Sequence, residues 1–457
     1  MTYPHKSRVL KKLGVRSMIN ACNWSTVIGG TYLEPRVMEA MADVSTTFVD
    51  LRELLKKASD RIAYLCKVDA AYITVGAAAG ITLSVAAAIA GNDPVKWTTL
   101  PFTDDPPISG RNRIIIQATQ SAYDEQFAMG GGRLVKVGSP LGSSIKDIES
   151  AINDKTAGIA AGYHYNIVPR GWVPYEEVAK IAKKHDLPSF CDCAGAFPPY
   201  TNLHKLTDAG FDLSIFSGGK GIRGPQNTGI ILGDGERGVE LIQAISMHSA
   251  PNHGIGRGFK VSKECIVGLV TALEEVLSRD EDEEYEKQMA KAEYMAEQLD
   301  NLTGVYVSIV PNDGKTYEHP LMPHTPVVRI DIDKEVLGMK TIQSLYAALR
   351  EGEPGIYLRF PRFEDREFGP FTSRASVLLF TYYLRDGEER IVAERMKSVL
   401  TKRPWKKQNQ FTRLPSESTI NSVPMLLTVH SLVSPQKLYN GLDLKLILSS
   451  KKGSLEN

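Results

Sequence analysis

Cysteine is scarce in this sequence, and so are long apolar runs. The chain has five cysteines in 457 residues, too few and of the wrong parity for a disulfide framework, so we expect a reducing compartment. No apolar stretch approaches the length that spans a bilayer. The first residues, MTYPHKSRVLKKLGVRSMINACN, lack the apolar core of a secretory signal. The sequence therefore predicts a cytoplasmic protein with no membrane partner.

An excess of charge of one sign is also missing. Lysine and arginine number 54 against 53 aspartates and glutamates, which gives a formal net charge of +1. A nucleic-acid-binding surface usually brings a clear basic excess. We therefore expect a small-molecule substrate and no nucleic-acid partner.

What the sequence does have is an alternation of short, β-branched segments with longer amphipathic ones. Between residues 46 and 257, segments such as RIIIQAT (113–119) and LSIFSGG (213–219) alternate with helical segments such as VPYEEVAKIAKKHD (173–186). This pattern is typical of a large α/β domain with a mostly parallel sheet. Ligands of such sheets bind in loops at the carboxyl ends of the strands, so those loops carry the functional information.

The rest of the chain predicts three further parts. Residues 1–45 form an N-terminal arm, and residues 258–400 form a smaller C-terminal α+β domain that begins with one or two charge-laced helices. Residues 401–457, rich in serine and lysine with weak periodicity, are predicted to be a partly disordered tail. The strands of the smaller domain are predicted at YVSIV (306–310), VVRIDI (327–332) and GIYLRF (355–360).

Three loops of the large domain each pair small residues with one reactive group. TVGAAAG (74–80) joins a strand to a helix without bulky side chains, so its N–H groups can approach a phosphate, or its small residues form a tight packing turn between helix and strand. In FCDCAGAFPP (190–199), Asp192 ends an apolar run, where a carboxylate can hold a protonated ring nitrogen or cap the following turn. The turn from Ser217 to Lys220 holds a lysine that is either a solvated loop residue or a reagent.

A metal site is not expected. Cys191 and Cys193 flank Asp192, but we expect their side chains to face opposite ways on the strand. No further cysteine and histidine set completes a zinc site. The three loops instead match the needs of pyridoxal 5′-phosphate (PLP), which takes an amine for its aldehyde, an anion for its ring nitrogen and N–H donors for its phosphate.

The segment SGGKGIRGPQNTGIILG (217–233) resembles the lysine signature of the selenocysteine-synthase-like family of fold-type-I PLP-dependent enzymes. The resemblance extends through MINACNWSTVIGG (18–30), TVGAAAGITLSVAAA (74–88) and GIGRGFKVSKECIVGLVTALE (254–274), and covers roughly residues 15–400. It implies the PLP-dependent transferase fold of type I. It also implies a homodimer or higher homo-oligomer with active sites shared between subunits.

The resemblance also implies residue roles. Lys220 is expected to hold PLP as a Schiff base, Asp192 to pair with the pyridinium nitrogen, and Ser217 to face the phosphate. Arg257 or Lys260 is expected to reach the phosphate of a neighbouring subunit. The phosphate loop is expected to consist of Gly76, Ala77, Ala78, Ala79 and Gly80, of which the last four supply the N–H donors.

The residue that stacks on the cofactor ring stays open at this point. Relatives often carry histidines in the loop after the IIIQ-type strand, whereas this chain reads QATQSAYDEQF. Gln120, Tyr123 and His164 are the candidates.

Substrate contacts are expected from the arm and the smaller domain. Asn20 and Thr26 lie in the arm, which in this fold often covers the active site. Arg359 is expected to clamp a substrate carboxylate, with Arg374 and Arg385 as alternatives.

The resemblance favours a PLP-dependent lyase or dehydratase of the ammonia-lyase type, acting on an amino acid or amino sugar acid. Freed Lys220 would take the proton from Cα, and loss of a β-substituent would lead to a keto product and ammonia. A racemase, an aminotransferase or a β-replacement enzyme would use the same residues. A catalytically degenerate relative with a regulatory or scaffold role is the alternative from another class.

Overall fold

The computed structural model describes residues 7–120, 123–139, 141–163, 171–313, 324–339, 342–358 and 374–401 of the 457. Its strands are β1 (Met18–Asn20), β2 (Ala70–Thr74), β3 (Arg113–Gln117), β4 (Arg133–Val137), β5 (Thr156–Gly162), β6 (Ser189–Asp192), β7 (Leu213–Ser217), β8 (Gly229–Gly233), β9 (Val305–Val310), β10 (Val327–Asp333), β11 (Gly355–Tyr357) and β12 (Arg374–Phe380).

The α-helices in the same residues are α1 (Arg8–Lys12), α2 (Pro35–Ser45), α3 (Leu51–Cys66), α4 (Ala77–Ala90), α5 (Pro94–Thr99), α6 (Asp124–Met129), α7 (Ile145–Ala151), α8 (Tyr175–Lys184), α9 (Asn202–Asp208), α10 (Gly235–Met247), α11 (Lys263–Leu277), α12 (Glu281–Leu299), α13 (Ile342–Arg350) and α14 (Glu388–Thr401). Short 3₁₀ helices cover Thr26–Ile28, Ala118–Gln120 and Arg257–Phe259.

The central sheet has seven strands in the order β2-β8-β7-β6-β5-β3-β4. Strand β8 runs antiparallel to both of its neighbours, and the other pairs are parallel. The predicted α/β class with a mostly parallel sheet is therefore confirmed.

Helices cover both faces of this sheet, which explains why its strands read as continuous apolar runs. Along β3, Ile115 packs into the cluster on one face with α3, α8 and α11, whereas Ile114 and Ile116 pack into the cluster on the other face with α4 and α10. Strand β5 is buried along its whole length for the same reason. Side chains alternate between two buried faces, so no polar alternation marks the strands.

A small antiparallel sheet in the order β12-β10-β9 follows the central one, and α12 contacts both β9 and β10. The charge-laced region after residue 258 forms two helices, α11 and α12. The strand predicted at 355–360 is present as β11, but it pairs in parallel with β1 of the N-terminal arm rather than with β9 or β10.

The described helices and the C-terminal residues complete the fold. No helix of the described residues is long and apolar enough to cross a membrane. The predicted tail, residues 401–457, lies outside the described residues except for its first residue, which ends α14.

Candidate active site

Strand ends at one edge of the central sheet bring the three sequence loops together. Asp192 ends β6, whose parallel neighbour β7 ends at Ser217, immediately before the turn that carries Lys220. In the register of the adjoining strands, Thr74 of β2 and Ser217 of β7 both pair with Gly229 of β8. The phosphate loop, the aspartate and the lysine therefore share one edge of the sheet, as ligand sites in such sheets do.

The phosphate loop is an uncapped helix start. Gly76 is the N-cap of α4 with φ of 94°, and no side chain caps the helix there. The first N–H groups of the helix, from Ala77 onward, have no partner within the helix and lie at its positive end. The Gly80 N–H donates to the Gly76 carbonyl oxygen at 3.2 Å, so the free donors precede Gly80. A Cβ on Gly80 would lie 2.6 Å from Ile215 Cγ2, which shows that this glycine lets α4 pack on the sheet.

Gly229 forms the other wall of this loop, and the sequence reasoning gave it no role. A Cβ there would lie 2.5 Å from the Gly76 carbonyl carbon and 2.8 Å from the Ala77 nitrogen. Only glycine can begin β8 at this distance from the helix start. The signal was its position at the start of an apolar strand, which does not by itself reveal the neighbour.

Glycines on both sides of Lys220 are packed against other segments. A Cβ would overlap Thr228 Oγ1 at Gly218, the Gln226 backbone at Gly219 and the Phe197 carbonyl oxygen at Gly221. The turn is closed by hydrogen bonds from the Gly218 N–H to the Thr228 carbonyl oxygen at 2.9 Å and from the Gly224 N–H to the Gly218 carbonyl oxygen at 2.8 Å. The glycine-rich sequence therefore fixes the position of the lysine rather than loosening it.

Lys220 and Asp192 lie at the same edge of the sheet, where both side chains are partly or fully shielded from water. Lys220 is half-buried, and the side chain of Asp192 is buried, with the residue 8% exposed. Burial lowers the pKa of the Lys220 amine below its ordinary value, and the negative charge of Asp192 acts in the opposite direction. Asp192 Oδ1 also accepts a hydrogen bond from the Ala194 N–H at 3.0 Å, which holds the carboxylate in place.

The N-terminal arm lies against the loops that follow β6 and β7. A Cβ on Gly195 would lie 3.0 Å from Trp24 Nε1, and one on Gly30 would lie 2.9 Å from the Gly219 carbonyl oxygen. Of the two predicted substrate residues of the arm, Thr26 is exposed and Asn20 is half-buried. Asn20 Oδ1 accepts from the Cys22 N–H at 3.0 Å. Their contacts with substrate stay predictions.

The candidates for ring stacking are placed differently. Gln120 is buried at the end of the 3₁₀ helix after β3, and its Oε1 accepts from Gln117 Nε2 at 3.4 Å. Tyr123 has a positive φ of 60° and is 47% exposed. His164 lies outside the described residues.

The arginines and the lysine predicted to bind phosphate or substrate lie in different parts of the structure. Arg257 and Lys260 are exposed, Arg257 on its 3₁₀ helix. Arg385 lies over the ring of Tyr32, with 4.4 Å from its Cζ to the ring centroid. Arg359 and the side chain of Arg374 lie outside the described residues.

The expectation that Cys191 and Cys193 face opposite ways is wrong. Both thiols lie in the same apolar cluster with no exposed surface, and Cys193 is close enough to raise the pKa of the Cys191 thiol, after the larger effect of burial. The physical reason is that side chains two residues apart on a strand share a face. Among the described residues no cluster of three or more histidine, cysteine, aspartate or glutamate side chains is suited to a metal ion.

Sequence reasoning gave no role to the residues that brace the lysine turn. The Arg223 N–H donates to the Lys220 carbonyl oxygen at 2.9 Å, and its Nη2 donates to the Tyr382 carbonyl oxygen at 2.9 Å. The Tyr382 hydroxyl in turn donates to the Gly221 carbonyl oxygen at 2.6 Å. In the sequence, the only indication of this role is an arginine three residues after the lysine, and an arginine in a loop is by itself typical of an exposed charged residue.

The residues at this edge fit a phosphorylated pyridine aldehyde. The uncapped helix start with its glycine wall leaves N–H donors for a phosphate, the buried carboxylate suits a cationic ring nitrogen, and the desolvated amine suits an aldehyde carbon. The site therefore offers a separate partner for the phosphate, for the ring nitrogen and for the aldehyde of such a molecule.

Comparisons with known proteins agree with this arrangement. The family model "Aminotransferase class-V" matches residues 134–322. The chain is 28% identical to D-glucosaminate-6-phosphate ammonia lyase of Salmonella typhimurium over 77% of this chain and 89% of that protein. It is 31% identical to 5′-C-glycyluridine monooxygenase-decarboxylase of a Streptomyces species over 76% of this chain and 83% of that protein. A solved structure of D-glucosaminate-6-phosphate ammonia-lyase matches with a TM-score of 0.70 and 26% identity, covering 86% of this chain and 98% of that one.

The fold and the site define a PLP-dependent enzyme of fold type I. The expected fold and cofactor are thereby confirmed. With the extent of the sequence matches, the chain belongs to the selenocysteine-synthase-like family of these enzymes.

Replacement of Gly229 by alanine is expected to weaken PLP binding about tenfold or more, because overpacking of this kind costs about 1–3 kcal/mol and here falls on the phosphate loop. The measurement is titration of the apoprotein with PLP by absorbance. Gly233→Ala, at the other end of β8, is a matched control, since its Cβ would lie 2.7 Å from Ile242 Cγ1. Both variants should lose stability, but only Gly229→Ala should lose affinity for PLP. Equal losses of affinity would contradict the role of Gly229.

Proposed function

We propose that this protein is an ammonia-lyase that removes the amino group of a small amino acid or amino sugar acid as ammonia. The observation that carries the proposal is the placement of Lys220 and Asp192 at the same edge of the sheet as the phosphate loop, in a chain that aligns over 89% of a D-glucosaminate-6-phosphate ammonia lyase. This placement supports chemistry at Cα of an amino substrate.

The chain's own residues hold the cofactor in this proposal. The N–H groups at the start of α4, beside Gly229, bind the phosphate, and Ser217 at the end of β7 faces it. Asp192 keeps a proton on the ring nitrogen. When bound, PLP supplies an electron sink for the bond that breaks at the substrate Cα.

Lys220 moves the proton. A lysine acts as a base only when its amine is neutral, and burial lowers the pKa of Lys220. The neutral amine is therefore available at a lower pH than for an exposed lysine. The Lys220 Nζ takes the proton from Cα, a β-substituent such as hydroxide leaves with the electron pair, and hydrolysis then gives a 2-oxo acid and ammonia without an oxidant. Lys220 stays in reach of the site because the turn around it is closed by hydrogen bonds. Asn20, Thr26 and Arg359 are proposed substrate contacts.

A second candidate is oxidative decarboxylation of an amino acid. It is favoured by the 31% identity to a 5′-C-glycyluridine monooxygenase-decarboxylase across 83% of that protein. The name of that relative indicates that O₂ is used and CO₂ is lost. Both candidates use the same lysine and aspartate, so the products must separate them.

The experiment is a screen of the purified holoenzyme with D- and L-amino acids and with 2-amino sugar acids, including D-glucosaminate 6-phosphate. Release of ammonia and a 2-oxo acid without O₂ uptake supports the ammonia-lyase. Uptake of O₂ with release of CO₂ supports the second candidate instead. Amino transfer to added 2-oxo acids, racemisation, or a colourless protein that ignores PLP would overturn the proposal.

We expect the protein to work as a homo-oligomer with shared sites, with Arg257 of one subunit near the cofactor phosphate of the next. Mixing Lys220→Ala and Arg257→Ala subunits should then restore activity, because each hybrid dimer contains one intact site. Full random exchange gives about a quarter of the wild-type activity. The measurement is activity after unfolding and refolding the two variants together. Each variant refolded alone is the control, and a mixture no more active than its parents would contradict the shared site.

A cytoplasmic location is part of the proposal. All five cysteines are free thiols, and four of them are buried. A protein whose five cysteines are all free thiols is typical of a reducing compartment.

A further inference from the structure

A cavity of about 640 Å³ lies behind the lysine turn, apart from the candidate active site. Its walls come from residues 32–35, Arg223, Arg279, the stretch of α12 from Glu284 to Lys291, and residues 381–386. Neither Lys220, Asp192 nor the phosphate loop lines it. Its volume is in the range of small-molecule sites, which run from about 300 to 1,000 Å³.

Three arginines line this cavity together with Tyr32, and the Glu34 carboxylate lies between two of them. The Cζ atoms of Arg385 and Arg223 lie 4.4 Å and 5.6 Å from the centroid of the Tyr32 ring. Arg223 and Arg279 each form an ion pair of 3.3 Å with the same oxygen of Glu34. The positive charges of Arg223, Arg385 and Arg279 all act to lower the pKa of the Tyr32 hydroxyl, against the larger effect of burial.

The other cations of the cavity are balanced by carboxylates. Lys287 pairs with Glu284 at 3.3 Å and with Glu283 at 2.9 Å. Lys291 pairs with Asp386 at 2.9 Å. Arg279 has further pairs with Glu284 and with Glu275, which lies outside the cavity wall.

Arg385 is the cation without a carboxylate. Within the described part of the chain, its guanidinium forms no ion pair and donates no hydrogen bond, and it rests on the Tyr32 ring. Guanidinium groups bind carboxylates and phosphates through two parallel hydrogen bonds. The half-buried Arg385 is therefore free to take such a group, and an anion beside it would balance its positive charge.

We propose that this cavity is a second binding site, which takes a small molecule carrying a phosphate or carboxylate group on Arg385. The half-buried Tyr32 offers aromatic surface for the rest of the molecule. The ligand would lie against Arg223 and Tyr382, which brace the lysine turn from behind. This proposal does not rest on which reaction the enzyme catalyses.

The test is calorimetric titration of the holoenzyme with inorganic phosphate and, separately, with succinate, at an ionic strength held constant with sodium chloride. The holoenzyme is needed because PLP then occupies the phosphate loop. At least one of the two anions is expected to bind saturably, and Arg385→Gln is expected to weaken that binding about tenfold or more. The anion that binds identifies the ligand group.

Arg390→Gln is the matched control. Arg390 also lies over a tyrosine ring, Tyr294, and pairs with Glu389, but it does not line the cavity. This variant should bind the anion as the wild type does. Arg385→Lys keeps the positive charge but loses the pair of parallel donors of a guanidinium group. Its affinity for the anion should therefore fall between those of the wild type and Arg385→Gln, a graded result that a folding defect would not give. Absence of saturable binding of either anion, or binding that Arg385→Gln leaves unchanged, overturns the proposal.

Discussion

Replacement of Lys220 by alanine is expected to lower kcat/KM for ammonia release about a thousandfold or more, because the variant loses the amine that carries the proton at Cα. It is also expected to lose the covalent attachment of PLP that borohydride makes permanent. Mass spectrometry of the reduced protein and steady-state kinetics measure the two effects. Few substitutions in the chain should act so strongly, because the closed turn presents this amine to the site.

A matched control is Lys146→Ala on α7, where the lysine is exposed. It should leave both the kinetics and the borohydride-stable label unchanged. A Lys220→Ala protein that still carries a borohydride-stable PLP label, or retains activity within tenfold of wild type, would show that another lysine holds the cofactor.

Replacement of Asp192 by asparagine is expected to lower kcat by about a hundred- to a thousandfold, as loss of a preorganised charge at a reacting centre does. Asparagine keeps an oxygen for the Ala194 N–H, so the local structure is expected to stay. The negative charge of Asp192 raises the pKa of Lys220 against the larger effect of burial. Removal of that charge should therefore move the Lys220 pKa further down in the apoprotein while the holoenzyme loses activity.

The pH dependence of Lys220 acylation in the apoprotein measures the first effect, and steady-state kinetics measures the second. Asp212→Asn is a matched control. Asp212 directly precedes β7, at the end of that strand away from Lys220, and its Oδ2 accepts hydrogen bonds from the Ser189 N–H and hydroxyl at 2.7 Å and 2.9 Å. This control should cost stability and leave kcat near wild type. An Asp192→Asn enzyme with wild-type kcat would exclude the carboxylate as the partner of the ring nitrogen.

The sequence was sufficient for features that depend on local pattern. Alternation of apolar and amphipathic segments predicts a mostly parallel sheet, because the hydrophobic periodicity of each segment largely determines whether it forms a strand or a helix. Lys220 and Asp192 stand out because each follows an apolar run, and parallel strands bring such ends to one edge. Both features are properties of short stretches and of general topology.

Features that depend on distant partners escaped the sequence reasoning. Gly229 closes the phosphate loop only because β8 turns back antiparallel beside β2. Arg223 braces the lysine turn through Tyr382, a residue far along the chain. The pairing of β11 with β1 likewise follows from tertiary packing, since a three-residue strand carries little register information of its own.

The pairing of β1 with β11 also sets the order in which the protein can be completed. Met18 pairs with Gly355, so the N-terminal strand has no partner until the ribosome has made residues as far as β11. At typical rates of synthesis that interval is roughly 20 to 70 s. During it, the arm that lies against Gly195 and Gly219 is not anchored by this strand pair. The loops after β6 and β7 of the nascent chain therefore meet a strand-anchored arm only once β11 has been made.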